Sequence, residues 1–490
     1  MVSRLSHIWE SWDLTQKFFS LFVALTLLSV FFAISTELYF LAGLPVVLLM
    51  AYLVVVDFRL IFFFLLACIP LSTEVSLPNG FGTDLPTEPL MVGLMLIYII
   101  YLVSNGRELK SDFVRHPISL LVLVHLSWIL VTTVTSGLFV VSLKFFLAKT
   151  WYILCFFYLA GHILKTEATI RRFFWFVFIP LMFTVLVTLV RHSAYGFSFQ
   201  DVHQVLHPFQ RNHVNYAATL SLFFPIIWFA KDWYPRRSFK WWVLVGALGI
   251  LLIAIYLSFT RAAYVSILLA LGAYFIIRLK LMRHVLALAL VGAICGAVYM
   301  VYQNNYLDYA PNYDRTITHT DFDNLIEATY KMEDISTMER VYRWVAGLHM
   351  TQDNPMLGFG PGNFVNFYKP YTVTSFQTYV SNNEEKSGIH SYFIMTLVEQ
   401  GIVGLIIFIW LSFYVLIRGE VIYHECQNLA RRRIVLMAIL CTVVIDAFLI
   451  INDMIETDKV GSFFFIMMAI LVNMDLKNAK ERREKRTTPV

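Results

Sequence analysis

The chain carries a small set of cationic and acid–base residues at the borders of apolar runs. Arg261 stands in SFTRAAY, between two runs that are each nearly long enough to cross a bilayer. Arg340 and Arg343 lie one helical turn apart, and His390 precedes an apolar run that contains Glu399. Arginine binds phosphate oxygens bidentately and stays cationic near a bilayer, while histidine is the commonest acid–base group. These residue types suit a reaction in which an anionic group leaves and a hydroxyl loses a proton.

The elements that must position these residues are membrane helices. Of the 490 residues, 58% are hydrophobic and only 14% are charged, whereas soluble domains carry about 25% charged residues. Apolar runs of membrane-spanning length recur along nearly the whole chain. The sequence therefore predicts an all-α, polytopic integral membrane protein with about 12–14 transmembrane helices and one long periplasmic loop that contains short helices.

The distribution of lysine and arginine predicts the orientation. Basic loops alternate with loops that are acidic or nearly so, which places the N- and C-termini in the cytoplasm. Within the long outer loop, ISTMERVYRWVAGLHM has helical periodicity. The five cysteines form no disulfide framework and no zinc pattern. The predicted organisation is N-terminal transmembrane helices at 1–200, helices that include the Arg261 motif at 201–303, the periplasmic loop at 304–388, C-terminal transmembrane helices at 389–476, and a basic cytoplasmic tail at 477–490.

In this orientation the cationic and acid–base residues share the outer membrane boundary. Each has an ordinary explanation: Arg261 as a snorkelling side chain, and His390 as an interfacial residue or helix cap. The segment GFGPGN lacks the Lys-Ser/Thr of a phosphate loop, and we interpret its glycines as a tight turn. Glu399 follows His390 by two and a half helical turns, and we expect it to pack against or orient its neighbours.

Taken together, the signals form an ordered pattern. They are S-F-T-R-A-A, then R-x-x-x-W from Arg340 to Trp344 with PMLGFGPGNF, and finally H-S-Y-F with a downstream E-Q-G. This order and spacing resembles the C-terminal half of the O-antigen ligase and O-antigen polymerase superfamily, over roughly residues 205–418. Ser391 departs from the family pattern, which usually has asparagine at this position.

The resemblance implies a membrane glycosyltransferase on the periplasmic face of the bacterial inner membrane. Its donor would be an undecaprenyl-diphosphate-linked glycan, with no further cofactor and no metal. Arg261 and Arg340 match the family's diphosphate-binding positions, and His390 matches its catalytic histidine. Arg343 is an unmatched extra, and Glu399 is a supporting candidate. Attack opposite the leaving diphosphate would invert the anomeric centre.

The acceptor stays open at this point. An O-antigen ligase would transfer the glycan to lipid A-core, a polymerase would extend an O-antigen or exopolysaccharide on its carrier, and a protein O-oligosaccharyltransferase would use a protein hydroxyl. An alternative of another class is a transporter of polysaccharide or lipid-linked glycan, which predicts polar residues near span centres and repeated halves. Asp446 and His125 are the polar candidates for it, and the sequence shows no repeat.

Metal and nucleic-acid functions receive weaker support. Asp321 and Asp323 form a D-x-D that acidic loops often contain by chance. His203, His207 and His213 share one outer loop, but no clear third ligand accompanies the i,i+4 pair, so zinc is not expected. The basic tail suits contact with anionic membrane lipid rather than nucleic acid.

Overall fold

A computed structural model describes residues 13–76, 82–106, 111–309, 335–372 and 388–487. Within these ranges the chain is almost entirely helical, which confirms the predicted all-α class. Twelve of the described helices are long and apolar enough to cross a membrane. Helices dominate because a bilayer offers no water to the backbone, so every N–H and C=O must be satisfied within its own segment.

Residues 1–65 form one compact unit and residues 66–490 form another. In the first unit, helix α1 spans Leu14–Ser35, and Asp13 and Gln16 form a capping box at its start. A 3₁₀ turn, Tyr39–Gly43, precedes helix α2, Leu44–Cys68, whose bounds extend just past the unit. Helix α2 is kinked at Asp57, whose backbone is not helical.

The second unit contains a short antiparallel ribbon and the remaining helices. In the ribbon, β1 (Thr73–Ser76) pairs with β2 (Gly82–Leu85). The helices up to the long loop are α3 (Thr87–Ser104), α4 (Pro117–Val134), α5 (Phe139–Ile153), α6 (Ala160–Ile163), α7 (Glu167–Ala194), α8 (Val202–Leu206), α9 (His213–Ala230), α10 (Phe239–Tyr256), α11 (Arg261–Arg278) and α12 (Met282–Val301). Those after it are α13 (Ile335–Asp353), α14 (Phe364–Phe367), α15 (Tyr392–Glu425), α16 (Leu429–Ile451) and α17 (Asp458–Thr487).

Helix α17 lies at the centre of this unit. In the apolar stretch of α17, 89% of the residues are buried inside the protein, whereas none are buried in the apolar stretch of Met282–Asn305. An apolar helix that is enclosed on all sides packs against other helices, and one that is exposed on all sides faces lipid. Helix α13 lies in the long loop and confirms the helix predicted there.

Helices α15, α16 and α17 run alternately up and down, and this defines two ends of the unit. The basic end contains the end of α15 and the start of α16, and the site end contains the start of α15 and the end of α16. At the basic end, Arg418 forms a two-pronged ion pair with Asp475 at 2.7 and 2.8 Å, and Arg431 pairs with Glu481 at 2.5 Å. These ion pairs tie α15 and α16 to α17, and Asn428 caps the start of α16.

Candidate active site

His390 is held in a strained backbone conformation immediately before α15. Its φ is 56°, in the left-handed region that costs a non-glycine residue about 1–2 kcal/mol. The indole of Trp344 donates a hydrogen bond to its carbonyl oxygen at 3.4 Å. The amide of Tyr392 donates to the carbonyl of Asn452 at 3.2 Å. Such strain persists only where the surroundings impose it, and it concentrates at functional sites. Contacts from α13 and from the end of α16 therefore fix the position of this histidine.

The imidazole of His390 has one nitrogen that is buried and unpartnered. The side chain of Asn452 hydrogen-bonds the ring. Among the described residues, neither Nδ1 of His390 nor Nδ2 of Asn452 has a hydrogen-bond partner. This hydrogen bond raises the pKa of His390, so the ring is its donor. A ring that donates through Nε2 keeps a lone pair on Nδ1, which is then the atom that accepts a proton.

The surroundings of His390 keep its imidazole neutral. Burial, followed by the positive charges of Arg343 and Arg340, lowers the pKa of His390 from 6.5 to about 3. The hydrogen bond with Asn452 acts in the opposite direction but is weaker. At neutral pH the ring is therefore uncharged and able to accept a proton.

The two arginines of α13 differ in what they contact. Arg343 is only 3% exposed, and its Nη1 donates to the carbonyl of Gly388 at 2.7 Å, two residues before His390. Arg340 lies one turn earlier on the same helix and is half-buried. Arg343 thus fixes the segment that presents the histidine, while Arg340 is the more accessible cation.

A buried carboxyl group completes this side of the site. Asp453 lies so close to Gly388 that a Cβ there would meet the Asp453 carboxylate, which would have to move. Burial raises the pKa of Asp453, and the charge of Arg343 offsets part of that shift. The carboxyl group of Asp453 therefore lies beside the segment that leads to His390.

Glu399 is a fixed part of the scaffold. Its carboxylate is buried and accepts two backbone hydrogen bonds, from Gly362 at 2.8 Å and from Phe364 at 3.0 Å. Its own carbonyl accepts from the amide of Gly360 at 2.9 Å. Glu399 thus holds the backbone of Gly360, Gly362 and Phe364 against α15.

The glycine-rich segment forms a turn that packs onto a break in α15. Gly358, Gly360 and Gly362 all have positive φ, as a tight turn requires. Gly401, with φ 70°, interrupts α15, and a Cβ there would meet the carbonyl oxygen of Met356. The glycines therefore serve both the turn and the close approach of two backbones.

A polar network fastens the end of this turn to the start of α5. The amide of Asn363 donates to the hydroxyls of Ser136 at 2.8 Å and Ser142 at 3.1 Å. Ser142 in turn donates to the carbonyl of Pro361 at 2.8 Å. The asparagine of the GPGNF motif is thus fully engaged in positioning.

An ion pair beneath the site joins α5 to the segment before α17. Nζ of Lys149 lies 2.5 Å from Oε1 of Glu456 and 3.4 Å from the hydroxyl of Tyr392. Lys149 is only 2% exposed, so it anchors this wall of the site. Tyr392 is the first residue of α15, so the ion pair contacts the start of the helix that follows His390.

Arg261 begins α11 at the site end. The turn before it is strained at Phe259, with φ 50°, and Thr260 donates to the carbonyl of His213 at 3.4 Å. Helix α11 packs antiparallel to α16, because Arg278, at its other end, shares a groove with Arg432 at the start of α16. The structure therefore brings Arg340 and Arg343 to His390, and it places Arg261 at the same end on an adjacent helix.

Several other predicted candidates have different surroundings. The ring nitrogens of His203 and His213 lie 3.0 Å apart. Asp446 accepts a hydrogen bond from Ser412 at 2.7 Å within the helix bundle, and His125 packs against an aromatic ring there. The D-x-D pair of Asp321 and Asp323 lies outside the described residues. In the part of the chain that the structure describes, no three His, Cys, Asp or Glu side chains are grouped as metal ligands.

Sequence reasoning missed Asn452, Asp453 and the partner of Lys149. The first two follow directly on α16 in NDMIETDK, which the sequence marks only as a polar outer loop. A polar pair at a helix end has many uses, and only its contact with Gly388 and His390 shows its place in the site. Lys149 lies near the start of an apolar run, and its partner Glu456 is distant in sequence.

Part of the chain that carries the site matches a protein-family model. Residues 246–409 match the O-antigen ligase family model, and this range includes Arg261, Arg340 and His390. The match confirms the resemblance predicted from the sequence and supports a membrane glycosyltransferase of the O-antigen ligase or polymerase type. Together with the twelve candidate spans, it indicates a multi-pass membrane protein. No curated protein matches the chain.

Proposed function

We propose that the protein is an O-antigen ligase. It transfers a glycan from undecaprenyl diphosphate to a hydroxyl of lipid A-core on the periplasmic face of the inner membrane, with inversion and without a metal ion. The observation that carries this proposal is the neutral imidazole of His390, whose free Nδ1 lies under the charges of two arginines.

In the proposed reaction the acceptor hydroxyl gives its proton to Nδ1 of His390 as its oxygen attacks the anomeric carbon. A new glycosidic bond forms, and the bond between that carbon and the diphosphate oxygen breaks. Undecaprenyl diphosphate leaves with the bonding electron pair. Because the attack comes from the side opposite the leaving group, the anomeric configuration inverts.

The arginines stabilise the charge that develops on the leaving diphosphate. Cations that are already held in place before the reaction stabilise this charge without any reorganisation, and so they lower the barrier. Arg340 is the accessible cation of α13, and Arg261 supplies a second from the start of α11. Arg343 donates a hydrogen bond to the Gly388 carbonyl, so it contributes to the site mainly through its positive charge.

Donor binding also prepares the base. The two cations near His390 oppose its protonation. A diphosphate bound at Arg340 cancels part of that repulsion, so the pKa of His390 rises once the donor is present. The imidazole therefore becomes a stronger base only when a donor is there to react.

The test is complementation of a deletion strain of the host. Wild type, Arg261→Ala, Arg340→Ala and His390→Ala are each expressed, and the surface and lipid-linked glycans are separated on a gel. His349→Ala, on the same helix as Arg340, is the matched control. We expect the three site variants to reach the membrane but fail like the deletion, while the control restores wild type.

The distribution of the glycan separates the possible acceptors. Long chains that vanish from lipid A-core and accumulate on the lipid carrier support a ligase. An acceptor that carries a single repeat, with no long chains anywhere, identifies a polymerase. Normal glycan in strains with well-expressed His390→Ala would refute the proposed site.

A further inference from the structure

A second cavity opens at the site end, apart from the His390 imidazole. It has a volume of about 300 Å³, which lies at the lower bound of small-molecule binding pockets. Its walls come from the β1–β2 ribbon, the loop before α9, and the start of α17. The six lining residues that matter here are Asp84, Phe209, Gln210, Arg211, Asp458 and Lys459.

The charged groups of this cavity are already held in place. Arg211 pairs with Glu74 at 2.6 Å. Asp458 accepts from the Thr87 hydroxyl at 3.1 Å, and Lys459 donates to the Ser72 carbonyl at 2.9 Å. Positive and negative groups therefore lie together in the cavity wall, and we expect the cavity to take an uncharged polar ligand rather than an ion.

Gln210 contributes a buried amide group to the cavity wall. Gln210 is only 7% exposed, and its Oε1 has no hydrogen-bond partner among the described residues. A buried acceptor without a partner costs free energy, so it is expected to bind a donor group. Asp84 lies beside it, and burial together with the nearby Asp458 raises the pKa of Asp84 to about 6. Phe209 adds an apolar surface to these acceptors.

The cavity lies between the two groups of proposed active-site residues, which are His390 with its neighbours on one side and Arg261 on the other. Its wall at residues 457–459 continues the segment whose Asn452 contacts His390. The charge of Arg211 acts on Asp84 in the cavity and on Asp453 beside the histidine. On the other side, His203 of the cavity contacts His213, whose carbonyl accepts from the Thr260 hydroxyl before Arg261.

We propose that this cavity is a subsite for a neutral pyranose ring of one of the two glycan substrates. Its carboxylate and amide oxygens accept hydrogen bonds from vicinal hydroxyls, and Phe209 covers an apolar face of the ring. This inference rests on the proposed glycosyl transfer. The ring belongs to the donor glycan or to the acceptor, and the experiment distinguishes the two.

The test measures binding and turnover separately on the full-length protein in lipid nanodiscs. The donor probe is the oligosaccharide released by mild acid from the lipid-linked glycan of the host. The acceptor probe is the deacylated core oligosaccharide of a host strain without the glycan. Saturation-transfer NMR reports binding of each probe, and transfer kinetics report kcat and KM for each substrate.

We expect Gln210→Ala to weaken the binding of one probe and to raise the KM of the corresponding substrate by about 2- to 10-fold, with kcat retained. Gln204→Ala, on the short helix α8 just before this loop, is the matched control, because Gln204 is exposed and lies outside the cavity. Asp84→Asn provides a second variant at a half-exposed position, should Gln210→Ala fail to fold. The affected probe identifies the source of the ring.

Wild-type binding and KM in folded Gln210→Ala and Asp84→Asn would overturn the subsite while leaving the proposed function intact. His390→Ala should abolish transfer but keep probe binding. Conversely, probe binding that depends on Gln210 in a protein without transfer activity would keep the subsite and refute the proposed function.

Discussion

The lowered pKa of His390 makes a distinctive prediction for the pH dependence of the reaction. The pH dependence of kcat/KM reports the ionisation of the free enzyme. A catalytic histidine with an ordinary pKa of 6.5 would be about 90% protonated at pH 5.5, and kcat/KM would then be about tenfold lower than for the neutral ring. With the pKa of His390 lowered to about 3, the ring stays almost fully neutral at that pH. We therefore expect kcat/KM to be nearly flat between pH 7.5 and 5.5, because less than about one ring in fifty is protonated.

The sign of the effect can be checked by removing a charge. Arg340 opposes protonation of His390, so Arg340→Gln should raise the pKa and move the acid limb of kcat/KM toward neutral pH. The profile of kcat, which reports the loaded enzyme, should have its acid limb at a higher pH than that of kcat/KM, because the bound diphosphate offsets the arginines.

The assay is transfer from purified lipid-linked glycan to acceptor in nanodiscs, at substrate concentrations below and above KM. Asp453 is the other titratable group beside the site, and burial raises its pKa. Asp453→Asn removes that titration and serves as the control. A tenfold fall of kcat/KM between pH 7.5 and 5.5 that persists in Asp453→Asn would refute the proposed state of His390.

Three further predictions concern residues that position the site. Glu399→Ala leaves two buried amides without their acceptor, so we expect it to lose about 2–6 kcal/mol of unfolding free energy, seen as a lower Tm; an inactive Glu399→Gln as stable as wild type would instead indicate a direct chemical role. Lys149→Met strands the carboxylate of Glu456 and should cost about 3–5 kcal/mol, part of which Lys149→Met with Glu456→Gln recovers; a wild-type Tm in the single variant would contradict this. Asn452→Ala frees the ring of His390 and should lower kcat about tenfold or more, with KM nearly unchanged; unchanged kcat would show that the contact does not set the tautomer.

The candidate site was predictable where residue type alone restricts chemistry. An arginine or histidine at the edge of an apolar run costs free energy near the bilayer, so it indicates a function. The order of these residues along the chain is the basis of the family resemblance. The role of Glu399 was predictable in kind, since a carboxylate inside an apolar helix needs donors. The identity of those donors, the amides of Gly362 and Phe364, depends on how the turn docks onto α15.

The sequence by itself determined that this protein is helical and spans a membrane. Apolar runs of that length are unfavourable in water, and in lipid they must form helices because the backbone has no other hydrogen-bond partners there. It also determined where cations and an acid–base residue border those runs. Only the tertiary structure decided which of them meet, since Asn452 reaches His390 and Lys149 reaches Glu456 across long stretches of chain. The tautomer and the charge state of His390 were decided there too, because burial and neighbouring charges exist only after the helices have packed.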